Sequence, residues 1–480
     1  FVHEENDFDD FAKEVLLPHR MSRFGPAVAV GDVNGDQLDD IFLGGAAGHS
    51  GQLFLQQTEG VFRLADSQPW LSDRSSEDLG AALFDSDGDQ DLDLYVSSGG
   101  NEFKEGSKEL IDRLYLNTGD GNFVRKADLL PKITESSSVV RPFDYDSDGD
   151  LDLFVAGRLV PQKWPTPANS RLLRNTGGSF EDVTDRAAPG LLDLGLVTDA
   201  IWADLDADGA IEIVAVGEWM PVKIFELVDG SFENVTSDFG VEEETGWWYS
   251  IKANDIDDDG DLDLIVGNLG TNYKYKASKE EPFQVYYNDF DSSGTGDIVL
   301  GYFNEGTLFP LRGRQCSSEQ MPFIKEKFPS YDAFGKASLT SVYGQQTLNT
   351  SLHYTATTFE SSIFINGNNH KLKRKALPRL AQISSVNAIV CDDFDKDGIN
   401  DILLAGNLYP VEIETIRNDA SYGIMLKGIG GGEFSALREL QTGLRADGDV
   451  KHMVKVNMGD KKDGIFIARN SDRAVLFEYN

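Results

Sequence analysis

Short apolar runs alternate with dense acidic stretches along most of the chain. In FDYDSDGDLDLFVA at 143–156 a β-type run enters, carboxylates follow at alternate positions, and a second apolar run leaves. AVAVGD with DIFLGG, ALFD with DLYVSS, and IKANDI with DLIVGN repeat the arrangement. These runs have the length expected for buried strands. A third run follows most pairs: QLFLQQ at 52–57, RLYLNT at 113–118, RLLRNT at 171–176, VKIFEL at 222–227 and QVYYND at 284–289, often ending in Asn. A fourth comes next in GVFRLAD, GNFVRKA, GSFEDVT and GSFENVT.

Four short strands recurring every ~50–60 residues predict propeller blades, since one such sheet buries its faces only against its neighbours. The expectation is an all-β fold, a single seven-bladed β-propeller over 1–480, with eight blades as the alternative. Innermost strands are expected near Ala27, Ala81, Val139, Ala200, Ser250, Ala388 and His452. The last unit is one strand short, and the opening FVHEENDFDDF is expected to supply it and close the ring. Residues 271–380 break the rhythm and predict a divergent blade or insertion, with a helical segment and a strand pair near SSIFINGN and HKLKRKAL.

The acidic stretches have the spacing of a cation loop. Asp144, Asp146, Asp148 and Asp152 stand at positions 1, 3, 5 and 9, with Gly149 at position 6. Carboxylates so close repel one another unless a hard cation lies between them, and calcium takes six to eight oxygens. The pattern recurs as Asp32, Asn34, Asp36, Asp40; as Asp85, Asp87, Asp89, Asp93; and as Asp204, Asp206, Asp208, Glu212. It returns as Asp255, Asp257, Asp259, Asp263 and as Asp393, Asp395, Asp397, Asp401. A looser copy, Asp289, Asp291 and Asp297, has Ser293 at position 5. Gln37 and Gln90 replace the glycine of position 6. An EF-hand would need flanking helices and a Glu at position 12, where the first loop has Leu43. The reading is several structural Ca²⁺ ions held in strand–loop–strand hairpins, the A–B loops of the blades.

The formal net charge is −38, from 43 Lys and Arg against 81 Asp and Glu. That balance excludes a nucleic-acid partner, whose phosphates it would repel. Only 271–380 runs the other way, with 13 cationic and 10 anionic side chains. A locally basic surface on an acidic body steers partners. Two cysteines, Cys316 and Cys391, allow at most one disulfide, and no apolar run is long enough to span a membrane as a helix. Calcium sites of ordinary affinity fill most readily outside the cell, which points to an extracellular or cell-surface location. The opening Phe1-Val2-His3-Glu4 reads as a processed product or an excised domain, so other domains of a longer chain are among the expected partners.

RFGPAVAVGDVNGDQLDDIFLGGAA resembles the FG-GAP repeat, and GDLDLFVAG and GDLDLIVGN resemble its bacterial VCBS form. This is the calcium-loop propeller of integrin α-chain heads and of many secreted bacterial proteins; the wording of the blades is similar to bacterial surface proteins and cartilage acidic protein relatives. The resemblance implies a fold and calcium sites, with adhesion or ligand binding as a common role, and no single activity.

No HExxH, GxSxG or Walker loop is present, and the six His are scattered. The leading reading is a noncatalytic surface module that binds a protein or glycan, or forms part of a cell-envelope assembly. Its partner is expected on the face opposite the calcium loops, where Arg158, Trp219, Trp247, Trp248, Asn272, Tyr273 and Tyr409 collect, at least one of the two adjacent Trp facing outward. The alternative is a polysaccharide lyase, with Tyr273, Lys274, Arg158 and His49 as candidate bases or neutralising cations.

Overall fold

The computed structural model describes all residues except 59, 368, 460, 461 and 480. Its strands form antiparallel units in chain order. The first comprises β1 Val28–Gly31, β2 Asp40–Leu43, β3 Gln52–Thr58 and β4 Val61–Leu64. The second has β5 Glu77–Phe84, β6 Asp93–Gly99, β7 Arg113–Asn117 and β8 Phe123–Arg125. The third has β9 Ser137–Phe143, β10 Asp152–Gly157, β11 Arg171–Asn175 and β12 Phe180–Asp182. The fourth has β13 Leu196–Ala203, β14 Glu212–Met220, β15 Lys223–Val228 and β16 Ser231–Asn234. Next come β17 Gly246–Asn254 and β18 Asp263–Asn268, which β14 joins through Glu218 opposite Trp247.

The chain then departs from the expected order. QVYYND does not supply the third strand of this unit. It forms β19 Phe283–Asn288, which pairs with β20 Asp297–Asn304 and β22 Leu352–Ala356 in a separate sheet completed by β21 Thr307–Pro310. Five short helices between Arg314 and Asn349 lie inside this insertion. The fifth unit resumes with β23 Ser362–Ile365, where Phe364 pairs with Leu264, and β24 Lys373–Ala376. β25 Ala388–Asp392, β26 Asp401–Ala405, β27 Ile424–Gly428 and β28 Phe434–Leu437 follow, then β29 Asp449–Asn457, β30 Asp463–Asn470 and β31 Val475–Tyr479.

First strands of successive units are neighbours: β1 with β5, β5 with β9, β9 with β13, β13 with β17, β17 with β25, β25 with β29, and β29 with β1. Each junction has its own apolar cluster. Phe42, Trp70 and Tyr115 fill the first, while Ile41, Leu43, Val456 and Met458 join the last unit to the first. A cavity of about 260 Å³ is lined by Val28, Ala81, Val139, Ser250, Ala388 and Met453, all from these inner strands. The opening residues meet the last unit at one bridge, Val2 with Arg473, and His3 N–H donates to the Asp472 carbonyl at 3.0 Å.

The Asn that ends a third strand has a structural task. Asn117 Nδ2 donates to the Val33 carbonyl in the preceding unit at 2.8 Å and to Leu92 in its own loop at 3.2 Å. Asn366 reaches Leu205 and Leu262 in the same way, and Gln56 reaches Asn457 and Asp39. These bonds tie the loops of the first, fourth and last units to the blade that follows each, so the ring is held by polar latches as well as apolar contact.

Candidate cation loops and the covered face

Each loop folds around its first carboxylate. Asp32 accepts from the N–H groups of Gly35 at 2.7 Å and Gln37 at 2.7 Å; Asp85 accepts from Gly88 and Gln90; Asp393 accepts from Asp397 and Gly398. Positions 4 and 6 both adopt positive φ: 76° at Gly35 and 69° at Gln37, 60° at Ser147 and 98° at Gly149. Where Gln occupies position 6, in the first two loops, glycine stands at position 4 instead. The position-5 acid turns to its own loop, Asp148 accepting from Asp150 N–H at 3.0 Å and Asp208 from Ala210 N–H at 2.7 Å.

The position-9 acid is a buried staple. Asp93 accepts from Ser86 N–H at 3.0 Å with one oxygen and from Asn117 N–H at 2.7 Å with the other. Asp152 does so with Tyr145 and Asn175, and Asp263 with Ile256 and Asn366. Burial, reinforced by neighbouring carboxylates, pushes Asp93 up to about 6 and Asp152, Glu212 and Asp297 up to about 7.

These groups converge. Asp85, Asp87 and Asp93 each offer an oxygen within 4.8 Å of the other two, as do Asp144, Asp146 and Asp152. The same holds for Asp204, Asp206 and Glu212, for Asp255, Asp257 and Asp259, and for Asp289, Asp291 and Asp297. In the fourth and fifth units Asp204 Oδ1, Glu212 Oε1 and Asp257 Oδ1 are buried without a hydrogen-bond partner. All-oxygen donors, crowded and partly unpartnered, fit a hard divalent cation. When bound, such an ion would neutralise the carboxylates and hold them ionised. The loop at 393–401 differs, because the Lys427 ammonium lies against Asp395 Oδ2 and 2.9 Å from Asp397 Oδ2.

The expected recognition face is not open. Trp247 and Trp248 are both fully buried, and Trp219 is 4% exposed. The insertion covers Trp219 and Trp247: Trp219 stacks on Phe283 at 5.6 Å, and Trp247 meets Tyr275 and Phe359 edge-on. Trp248 packs on Phe364 between units, its indole N–H donating to the Met220 carbonyl at 2.9 Å. Leu16, Leu17 and Met21 from the N-terminal segment complete the cover. Arg158 is buried on Glu218 at 2.7 Å, which also accepts from Trp164 Nε1 at 3.2 Å. Burial alone would raise Glu218, but Arg158 and His19 beside it hold its carboxyl at about 2. Tyr273 is buried against Tyr275; Asn272 is exposed and donates to the Ile383 carbonyl; half-buried Tyr409 lies under the Arg417 guanidinium at 3.5 Å. The apolar residues Leu16, Leu17 and Phe283 were the sequence signal that something packs over this face.

The lyase constellation does not assemble. Arg158 and Tyr273 are buried structural residues, His49 pairs with Glu4 at 3.6 Å near the chain start, and Lys274 donates to the Glu414 carbonyl at 3.0 Å. Both cysteines are free, and no helix among the described residues is long and apolar enough to cross a membrane.

Comparison with known proteins gives a family model described as an FG-GAP-like repeat, matching 32–96, 99–155 and 204–266. A comparison with curated proteins finds no significant match. Among solved structures the chain is similar to BBS1N in complex with ARL6DN, at 8% identity and TM-score 0.41, covering 96% of this chain and 94% of that one. It is similar to the Dos1 propeller at 9% identity and TM-score 0.41, with the same coverages. It is also similar to the V. cholerae biofilm matrix protein Bap1 at 11% identity and TM-score 0.35, covering 96% and 88%. The matched repeats coincide with the acidic loops and strand pairs of the first to fifth units, so the chain carries FG-GAP-like repeats on a β-propeller fold.

Proposed function

We propose that this propeller is a noncatalytic, calcium-stabilised binding module, secreted or at the cell surface, that docks a protein or glycan on its covered face. We count its ring as seven blades, from the cyclic order of the inner strands, with the insertion as an appended cap and the opening residues closing the last blade. The observation that carries the binding role is on a blade loop fastened to the cap. The loop after β26, which runs away from the acidic end of its blade, presents Ile413 at 99% and Ile416 at 84% exposure. It is fastened to the insertion by Arg312 on Glu412 and by Cys316 Sγ against Glu414 at 3.1 Å. Exposed Lys325 and half-buried Arg314, the latter over the Tyr331 ring, belong to that insertion. Exposed aliphatics beside cations on a body of −38 suit an acidic partner.

The test is an array of acidic and neutral glycans, run with crosslinking capture from envelope fractions and an assay for unsaturated uronate products. Retention that is lost in an Ile413→Asp/Ile416→Asp variant supports the reading. Turnover of an acidic polysaccharide that survives those substitutions overturns it.

A further inference from the structure

In four blades the strand register sets one third-strand residue level with the position-9 acid of the acidic loop. Leu94 pairs with Tyr115, Leu153 with Leu173, Ile213 with Phe225 and Ile402 with Leu426. The next residue along the third strand, level with the position-9 acid, is Leu116, Arg174, Glu226 or Lys427 in turn. Leu116 is neutral. Arg174 turns aside to Glu181 at 3.3 Å. Glu226 stands among the like charges of Asp206 and Asp208 and adds to them. Lys427 alone among these four brings an ammonium onto two acids of its loop, Asp395 and Asp397.

We propose that Lys427 takes the place in loop 393–401 that a divalent cation takes in the sister loops, so that this loop is built with an internal cation and binds no calcium. The inference rests on the reading that the sister loops hold calcium. A calcium ion needs oxygens at about 2.3–2.6 Å. Asp395 and Asp397 cannot offer them while the Lys427 ammonium lies on both, since ion and ammonium repel at that range. One must leave, and the ammonium is tethered to the blade. The blade thereby keeps a folded loop where calcium is scarce.

The experiment is calcium stoichiometry, by metal analysis of the full chain after chelation and dialysis against excess calcium. Lys427→Met, which keeps the side-chain length and removes the charge, is expected to bind one more ion per chain than the wild type. Asp397→Asn in the wild-type background is expected to leave the count unchanged. Equal counts for wild type and Lys427→Met, or loss of one ion in Asp397→Asn, overturns the proposal. A wild type that binds no calcium defeats the sister-loop reading separately, and Lys427→Met binding none then defeats this one as well.

Discussion

Asn175 at the end of β11 donates to the carbonyl of Ser86, in the acidic loop of the preceding blade, at 2.8 Å. The same amide reaches Leu151 in its own loop at 3.2 Å, so one side chain bridges two blades. Asn175→Ala leaves two carbonyls without this donor and should cost about 1–3 kcal/mol. Denaturant unfolding measures it; a midpoint equal to that of the wild type would show that the latch carries no load.

Positions 3 and 9 of the third loop separate two roles. Asp146 is an exposed member of the converging carboxylates, whereas Asp152 also accepts the backbone N–H groups of Tyr145 and Asn175. Asp146→Asn should reduce the gain in melting temperature that calcium gives and leave the chelated protein nearly unchanged. Asp152→Ala should lower the melt in both conditions. Identical behaviour of the two variants contradicts the staple role of position 9.

Where the chain start meets the second blade, Glu5, Glu77 and Glu102 are buried together near His3. Burial first, then mutual repulsion, raises Glu5 to about 7 and Glu77 well above its ordinary range. Raised carboxyls contribute stability below about 4.5 that is lost as pH climbs through their folded values. His3, lowered by burial to about 3, works in the opposite sense, but only below its unfolded value near 6.5. From pH 6.5 to 8.5 the glutamates therefore act alone within this cluster, and the melting temperature should fall. Glu77→Gln should flatten that slope, and an unchanged slope in the variant would remove the cluster as its cause.

The strands and acidic loops were legible because a period of two and a fixed loop spacing are local signals. The loops recur with Asp at position 1 each time, and β1, β5 and β25 lie where the apolar runs put them. What failed was non-local. QVYYND has the form of a third strand, yet β18 hydrogen-bonds to residues 362–365 across the insertion. Trp247 and Trp248 follow a glycine and resemble an exposed aromatic pair until Phe283 and Phe359 arrive over Trp247, and Phe364 against Trp248, from elsewhere in the chain. The terminal Asn of the third strands was visible, but its partner lies in the preceding blade. Lys427 sits 30 or more residues beyond the acids it touches, and only the strand register brings it there.

Trp247, expected to be a docking residue, is instead a floor for the cap. Trp247→Ala should destabilise the protein by about 3–5 kcal/mol, in the range for a large buried aromatic. Limited proteolysis should show cleavage within 283–356 before the blades are cut. A variant with wild-type stability and weakened binding would restore the earlier assignment.

Docking through the cap makes two kinds of substitution differ. Lys325→Glu should weaken capture mainly at low salt, because exposed charges are screened beyond about 8–10 Å at physiological ionic strength. Ile413→Asp should weaken it at every salt concentration and chiefly by faster dissociation. Binding indifferent to both places the partner on another surface.

Asn268 N–H donates to Ser361 Oγ at 2.9 Å, so the polypeptide leaves the fifth blade for the insertion and comes back at nearly the same point. The cap is therefore a cassette: its two ends are already joined by the blade, and its length is free of the ring's geometry. A lineage can lengthen, shorten or rewrite the cassette without shifting one strand pairing below it, provided each version still roofs the tryptophans. The insertion and the ring beneath it thus lie in separable stretches of one chain, and the first can change while the second stands still.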